Sequence, residues 1–325
     1  MKNTLLIFGY GYTSAYIAER FDSNLWNIIG TSRSGLKGST DKYIPLKQKE
    51  AIPPSKPSQG GTESNIRIIN YRAEQIRTVI DEITHIIISI PPDENGDIVL
   101  KDFEEILLDA PKLVRVGYLS STSVYGNHEG RTVDENSALK SETSKGKNRI
   151  LAERGWINFA INKNLNLDIF RLAGIYGPDR NALEALKNGK AISIYKKNQL
   201  FSRIHVEDIA NIVHEAFNDS RADIIERGMK KESLRPVKYK CEIYNIADDY
   251  PCSTIEVNEF AAKLLNMEAP KIIDFETLKL SDPALSDSRR EFYADNKIVD
   301  NTKIKQRLNI KLKYPTFRDG LKYLV

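Results

Sequence analysis

The stretch Thr4-Leu5-Leu6-Ile7-Phe8-Gly9-Tyr10-Gly11-Tyr12-Thr13-Ser14 decides how the rest of the chain is read. An apolar run stops at two closely spaced glycines, and Ala15, Ile17, Ala18 and Phe21 then recur at helical spacing, so the stretch reads as strand, tight turn and helix. Gly9 suits a turn that a side chain would block. Gly11 lets the backbone approach a pyrophosphate, which the free N–H groups of a helix N-terminus can bind without any lysine. Gly9, Tyr10, Gly11, Tyr12, Thr13 and Ser14 are therefore the expected dinucleotide loop. Ser14 stands where a third Gly or Ala is usual, so the pattern is G-x-G-x-x-S, and an ordinary glycine-containing βα turn is the alternative.

Downstream, Trp26 to Thr31 read as a second strand, followed by Ser32 and Arg33. A carboxylate there would grip a free ribose 2′-hydroxyl, whereas a hydroxyl and a guanidinium suit a 2′-phosphate. NADP is the expected cofactor, with NAD the alternative. Residues 35–65, rich in Gly, Ser, Lys and Pro, are expected to form a mobile insertion. Order returns at a third strand, Ile66 to Asn70, then a short helix over Ala73 to Ile83 and a fourth strand, His85 to Ile90. Alternating strands and helices argue for a parallel sheet, whose ligands sit at the carboxyl ends of strands. Asn70 and Tyr71, placed to flank an adenine, and Ile90 and Pro91, at the end of the fourth strand, join the expected cofactor contacts. A helix over 98–110 and a fifth strand, Lys112 to Leu119, run into Ser120-Ser121-Thr122-Ser123-Val124-Tyr125-Gly126.

The 325 residues suffice for about two domains; 41% are hydrophobic and 28% charged, and no apolar run is long enough to cross a bilayer. The net charge of +4 is small and its lysines scattered, which argues against nucleic acid. Cys241 and Cys252 show neither metal spacing nor a disulfide framework, so no metal is expected and a cytoplasmic location is. The expected partners are a small-molecule substrate and, at most, a second copy of the chain, with no membrane.

Ser120 to Gly126, Asp134-Glu135, Arg171-Leu172 with Gly174-Ile175-Tyr176-Gly177-Pro178, Ile204 to Ala210, and Tyr244 to Asp248 occur in an order that resembles the extended short-chain dehydrogenase/reductases, the epimerase/dehydratase-like superfamily. The resemblance implies a doubly wound parallel Rossmann sheet over 1–175 with a smaller C-terminal α/β substrate-covering part over 176–325. Segments near 201–217 and 242–247 would return to the Rossmann domain. Ser121 would be the catalytic hydroxyl, and Ser120 and Ala173 would lie along the cofactor. His205 and Asp208 would be structural, and Tyr125 a packing residue. Where the superfamily carries Y-x-x-x-K, alignment on Glu153 puts Lys145 in the tyrosine slot and Arg149 in the lysine slot, so Arg149 would bind the nicotinamide ribose and Lys145 would move the proton. Phe201 stands where the sugar-nucleotide branch carries an arginine. Together with Arg290-Glu291-Phe292-Tyr293, these departures resemble an atypical branch. One expected function is an NAD(P)-dependent oxidoreductase acting on a small carbonyl or sugar-like substrate. The other is a catalytically silent protein that binds or senses NADP(H), with Lys145 a solvated surface lysine.

Overall fold

The computed structural model describes residues 2–32, 42–44, 66–218, 239–278 and 287–325. Its main sheet is built from β1 (Asn3–Phe8), β2 (Trp26–Ser32), β3 (Lys42–Ile44), β4 (Ile66–Asn70), β5 (His85–Ile88), β6 (Arg115–Ser121), β7 (Asn166–Leu172) and β8 (Cys241–Ile246). Their spatial order is β8-β7-β6-β5-β1-β2-β4-β3, with seven parallel strands and β3 antiparallel to β4 at the edge. This is the doubly wound α/β class that the sequence predicts. Leu5 to Phe8 and Ile86 to Ile88 are wholly buried, as strands covered on both faces must be, which explains why they read as unbroken apolar runs.

The helices α1 (Tyr12–Ala18), α2 (Ala73–Arg77), α3 (Ile98–Leu108) and α4 (Ser144–Lys163) follow β1, β4, β5 and β6. Asp97 starts α3 by accepting the N–H groups of Val99 and Leu100 at 3.0 and 3.1 Å. Phe103 then stacks on Phe8, centroids 5.6 Å apart. Thr143 starts α4, its hydroxyl accepting the Gly146 N–H at 3.2 Å.

Several expected boundaries move, each for a local reason. The helix expected to run to Phe21 ends at Ala18, where Arg20 and Phe21 donate instead to Ile17 and Ala18, and Phe21 turns inward onto Trp26 at 4.8 Å. The helix expected to reach Ile83 loses its regular form after Arg77, where the Thr78 hydroxyl donates back to the Gln75 carbonyl. The fourth strand stops at Ile88 rather than Ile90, because Pro91 and Pro92 have no N–H for a ladder. Within the expected insertion 35–65, Lys42–Ile44 form the edge strand on β4, and the rest lies outside the described residues.

The chain divides into two compact units: Met1–Leu119 with Leu151–Ile169 and Val213–Glu242, and Ser120–Ile150 with Phe170–Ile212 and Ile243–Val325. In the second, Gly174–Tyr176 pair with Arg203–His205 and Ser193–Tyr195 with Ile272–Asp274, both parallel. Its core gathers Tyr176, Leu183, Leu186, Val257, Ala261, Phe317 and Leu321. Among the described residues no helix is long and apolar enough to cross a membrane.

Candidate functional site

In the first unit the glycine turn is held from below. Gly9 has φ +86°, and a methyl there would fall 2.8 Å from the Ile90 side chain, so only glycine fits. The Gly9 N–H donates to the Thr31 hydroxyl at 3.1 Å and that of Tyr10 to the Thr31 carbonyl at 2.9 Å. Ser14, fully buried, donates its hydroxyl to the Gly9 carbonyl at 2.8 Å. The unusual third position is thus small enough to pack helix on strand, and its polar atom closes the turn.

Gly11 behaves oppositely. It precedes α1 with extended backbone, and a methyl on it would meet no atom of the described residues within 4 Å. Open space in front of the first turn of a helix is what a pyrophosphate needs, so the turn fits the dinucleotide. Tyr10 lays its ring over Gly30 on β2, and burial pushes its phenol up to about 12. Tyr12 packs edge-on to Tyr16, and Thr13 is buried.

Ser32 and Asn70 stand opposite each other at the carboxyl ends of β2 and β4, and the Tyr71 N–H donates to the Ser32 carbonyl. The Tyr71 hydroxyl donates to Asp102 at 2.9 Å, and its ring meets Phe8 and Phe103 edge-on. Ile90 buttresses Gly9, while Pro91 beside it is exposed. The residues expected at the adenosine end therefore share one rim of strand ends. Arg33, on which the NADP expectation rests, lies outside the described residues.

In the second unit, Ser120 is buried and Ser121 half-buried at the end of β6. The Ser121 oxygen accepts the Ser123 N–H at 3.1 Å and caps the 3₁₀ turn Thr122–Tyr125. That bond uses an acceptor lone pair and leaves the hydroxyl proton to be donated elsewhere. The first turn of α4 is seated against this turn. A methyl at Gly146 would fall on the Ser141 side chain and 2.7 Å from the Ser123 carbonyl oxygen, so glycine is what lets the helix begin there. Lys145 precedes Gly146 and forms an ion pair with Glu291 at 2.8 Å. Arg149 follows one turn later on the same side of α4, half-buried. Ala173 is buried, its N–H donating to the Ile246 carbonyl at 2.9 Å.

Tyr125 is wholly buried and donates to Asn245 Oδ1 at 2.6 Å while accepting from Arg171 at 3.0 Å. Burial pushes its phenol up to about 12. Glu135 completes the network by accepting the Asn245 N–H at 2.8 Å. His205 is sealed between Tyr176 and Tyr314, and burial pulls it down to about 4. Asp208 accepts the N–H groups of Lys313 and Tyr314. Thr31, Gly146 and Glu291 acquire their roles only in three dimensions. Of these, only Glu291 lies in a segment that the sequence marks as unusual.

No family model and no curated protein matches the chain. Solved structures do. A functionally unknown conserved protein from Silicibacter pomeroyi DSS is 33% identical, with a TM-score of 0.77 over 99% of this chain and 98% of that one. UDP-N-acetylglucosamine 4-epimerase from Bacillus cereus is 14% identical, with a TM-score of 0.67 over 99% and 98%. The dTDP-glucose 4,6-dehydratase from Bacillus anthracis str. Ames, solved in complex with NAD, is 16% identical, with a TM-score of 0.67 over 99% and 95%. The chain belongs to the family of the conserved Silicibacter pomeroyi protein, within the NAD-dependent epimerase/dehydratase-like fold of the extended short-chain dehydrogenase/reductases.

Proposed function

We propose that this protein is a nicotinamide-dinucleotide-dependent reductase of a small carbonyl or sugar-like substrate. The observation that carries the reading is Ser121, a half-buried hydroxyl at a strand's carboxyl end whose oxygen is fixed by the Ser123 N–H and whose proton remains to be given. The open cradle at Gly11 supports the cofactor half of the reading, as does the NAD held by the dehydratase of the same fold. When bound, the cofactor would supply hydride. Ser121 would donate a hydrogen bond to the substrate oxygen, Lys145 would deliver the proton, and Arg149 would hold the nicotinamide ribose. Ser32 and Arg33 favour NADPH over NADH, through charge-assisted bonds to the 2′-phosphate.

The test is NADPH consumption with DL-glyceraldehyde, a minimal sugar-like aldehyde, alongside calorimetric NADPH binding. Turnover that falls about 10²-fold or more in Ser121→Ala, with NADPH affinity kept, is the expected result. A second reading, a silent NADP(H)-binding protein, draws on the Lys145 side chain, 62% exposed and already paired with Glu291. Tight NADPH binding without turnover, on this aldehyde or on other aldehydes, ketones and nucleotide sugars, would decide for it.

A further inference from the structure

Glu291 comes to Lys145 from the helix Asp287–Ala294, which is anchored by its own aromatic residues. Tyr293 is buried and shares a 2.8 Å hydroxyl contact with Thr254. Lys196 donates to the Tyr293 carbonyl at 2.6 Å, a cation at a helix C-terminus where the dipole favours one. Phe292 stacks on Phe201 with centroids 4.0 Å apart and planes 10° apart. So held, the helix delivers the Glu291 carboxylate to within 2.8 Å of the Lys145 ammonium.

Fold stability is a poor explanation for this pair. Ion pairs this exposed add little to stability. Here the paired oxygen, Glu291 Oε2, is shut off from water and has no hydrogen-bond donor of good geometry. The loss of its hydration offsets what an exposed pair returns. At the other end, Gly146 fixes the start of α4 against the Ser123 carbonyl, in the turn that Ser121 caps. Lys145 is therefore fixed at its root by Gly146 and at its head by Glu291.

We infer that Glu291 is the positioning residue for Lys145, holding its ammonium as a proton donor beside the serine turn. The inference rests on the reading of Lys145 as donor proposed above. An ammonium has protons to give and no lone pair to accept one, so the pair suits carbonyl reduction. As the substrate carbon takes up hydride from a reduced nicotinamide, a Lys145 N–H bond breaks, its electron pair stays on nitrogen, and the proton forms the O–H bond of the product alcohol. Solvent then returns a proton to the amine. Glu291 keeps its charge throughout and acts only through Lys145.

The experiment uses the full chain with NADPH and DL-glyceraldehyde, comparing Glu291→Gln, Glu291→Asp, Lys145→Met and the double variant Glu291→Gln with Lys145→Met. Glu291→Gln should lower kcat about tenfold and leave the KM for NADPH and the melting temperature unchanged. Glu291→Asp should restore part of the rate. In the Lys145→Met background the glutamine should cost nothing further. Wild-type kcat in Glu291→Gln, with Lys145→Met impaired, would overturn the inference and leave the donor reading standing. Equal losses from Glu291→Gln in both backgrounds would overturn it as well. Wild-type rate in Lys145→Met would remove the donor reading, and the positioning role with it.

Discussion

A valine at position 11 would find room in the protein and none in its ligand. Among the described residues nothing lies within 4 Å of a methyl there, and the backbone is extended, so Gly11→Val should leave the melting temperature within a degree or two while abolishing NADPH binding by calorimetry. Gly9→Ala should do the reverse. Its positive φ and the Ile90 side chain should cost about 1–3 kcal/mol in chemical denaturation. Asp248 makes a second prediction at this scale. Burial raises its carboxyl from the ordinary 3.8 to about 7, so between those values the folded chain keeps a proton that the unfolded chain releases. Stability therefore falls as pH rises through that window. Asp248→Asn keeps an acceptor for the Tyr250 N–H and should stabilise on the order of 1–3 kcal/mol at pH 8, with little effect near pH 4. Among single residues, the glycines were legible because a turn and a close approach each demand one. Asn301 precedes the helix Thr302–Leu308 without capping it, because its amide reaches across to the Ala247 carbonyl and Asp249. That is a tertiary preference that no local pattern carries.

Elements were legible wherever burial imposed a period. The strand Ile66–Asn70 falls where the apolar pattern puts it. What spacing does not reveal is how elements are pinned to one another. The turn after β6 is tied to β7 and β8 by Tyr125, Arg171, Asn245 and Glu135, residues far apart in sequence. Tyr125→Phe should leave the Asn245 oxygen and an Arg171 N–H without their partner and destabilise by about 1–3 kcal/mol, while turnover changes by less than about threefold. A loss of turnover by about a hundredfold or more, with stability kept, would instead make the phenol a chemical participant. Gly146 makes the matching prediction for α4. Gly146→Ala drives a methyl into Ser141 and the Ser123 carbonyl, so it should lower both the melting temperature and turnover by displacing the start of the helix.

Across the whole molecule, the order of motifs along the chain pointed to the doubly wound parallel sheet but not to its antiparallel edge strand Lys42–Ile44, which comes from a segment without an apolar period. The chemistry was less legible, since the motif alignment puts Lys145 where a tyrosine is expected and its ion-pair partner Glu291 belongs to a distant helix. Two of the three buried histidines, His85 and His205, contribute to the response to acid. Burial pulls His85 down to about 3 and His205 down to about 4, so both fold as neutral rings while the unfolded chain takes up their protons near 6.5. The stability they hold above 6.5 should be lost as pH falls through 6.5 towards 4, seen as a falling urea midpoint, and His205→Gln should flatten that fall whatever its absolute stability. The central claim, that this fold is a working reductase with Ser121 at its centre, is tested most directly by one measurement. That measurement is the rate of NADPH consumption with DL-glyceraldehyde by the wild-type chain and by Ser121→Ala. Steady turnover in the first and a rate lower by about 10²-fold or more in the second, at unchanged NADPH affinity, is the expected result. Equal rates in the two proteins, or NADPH bound tightly and never consumed, would contradict it.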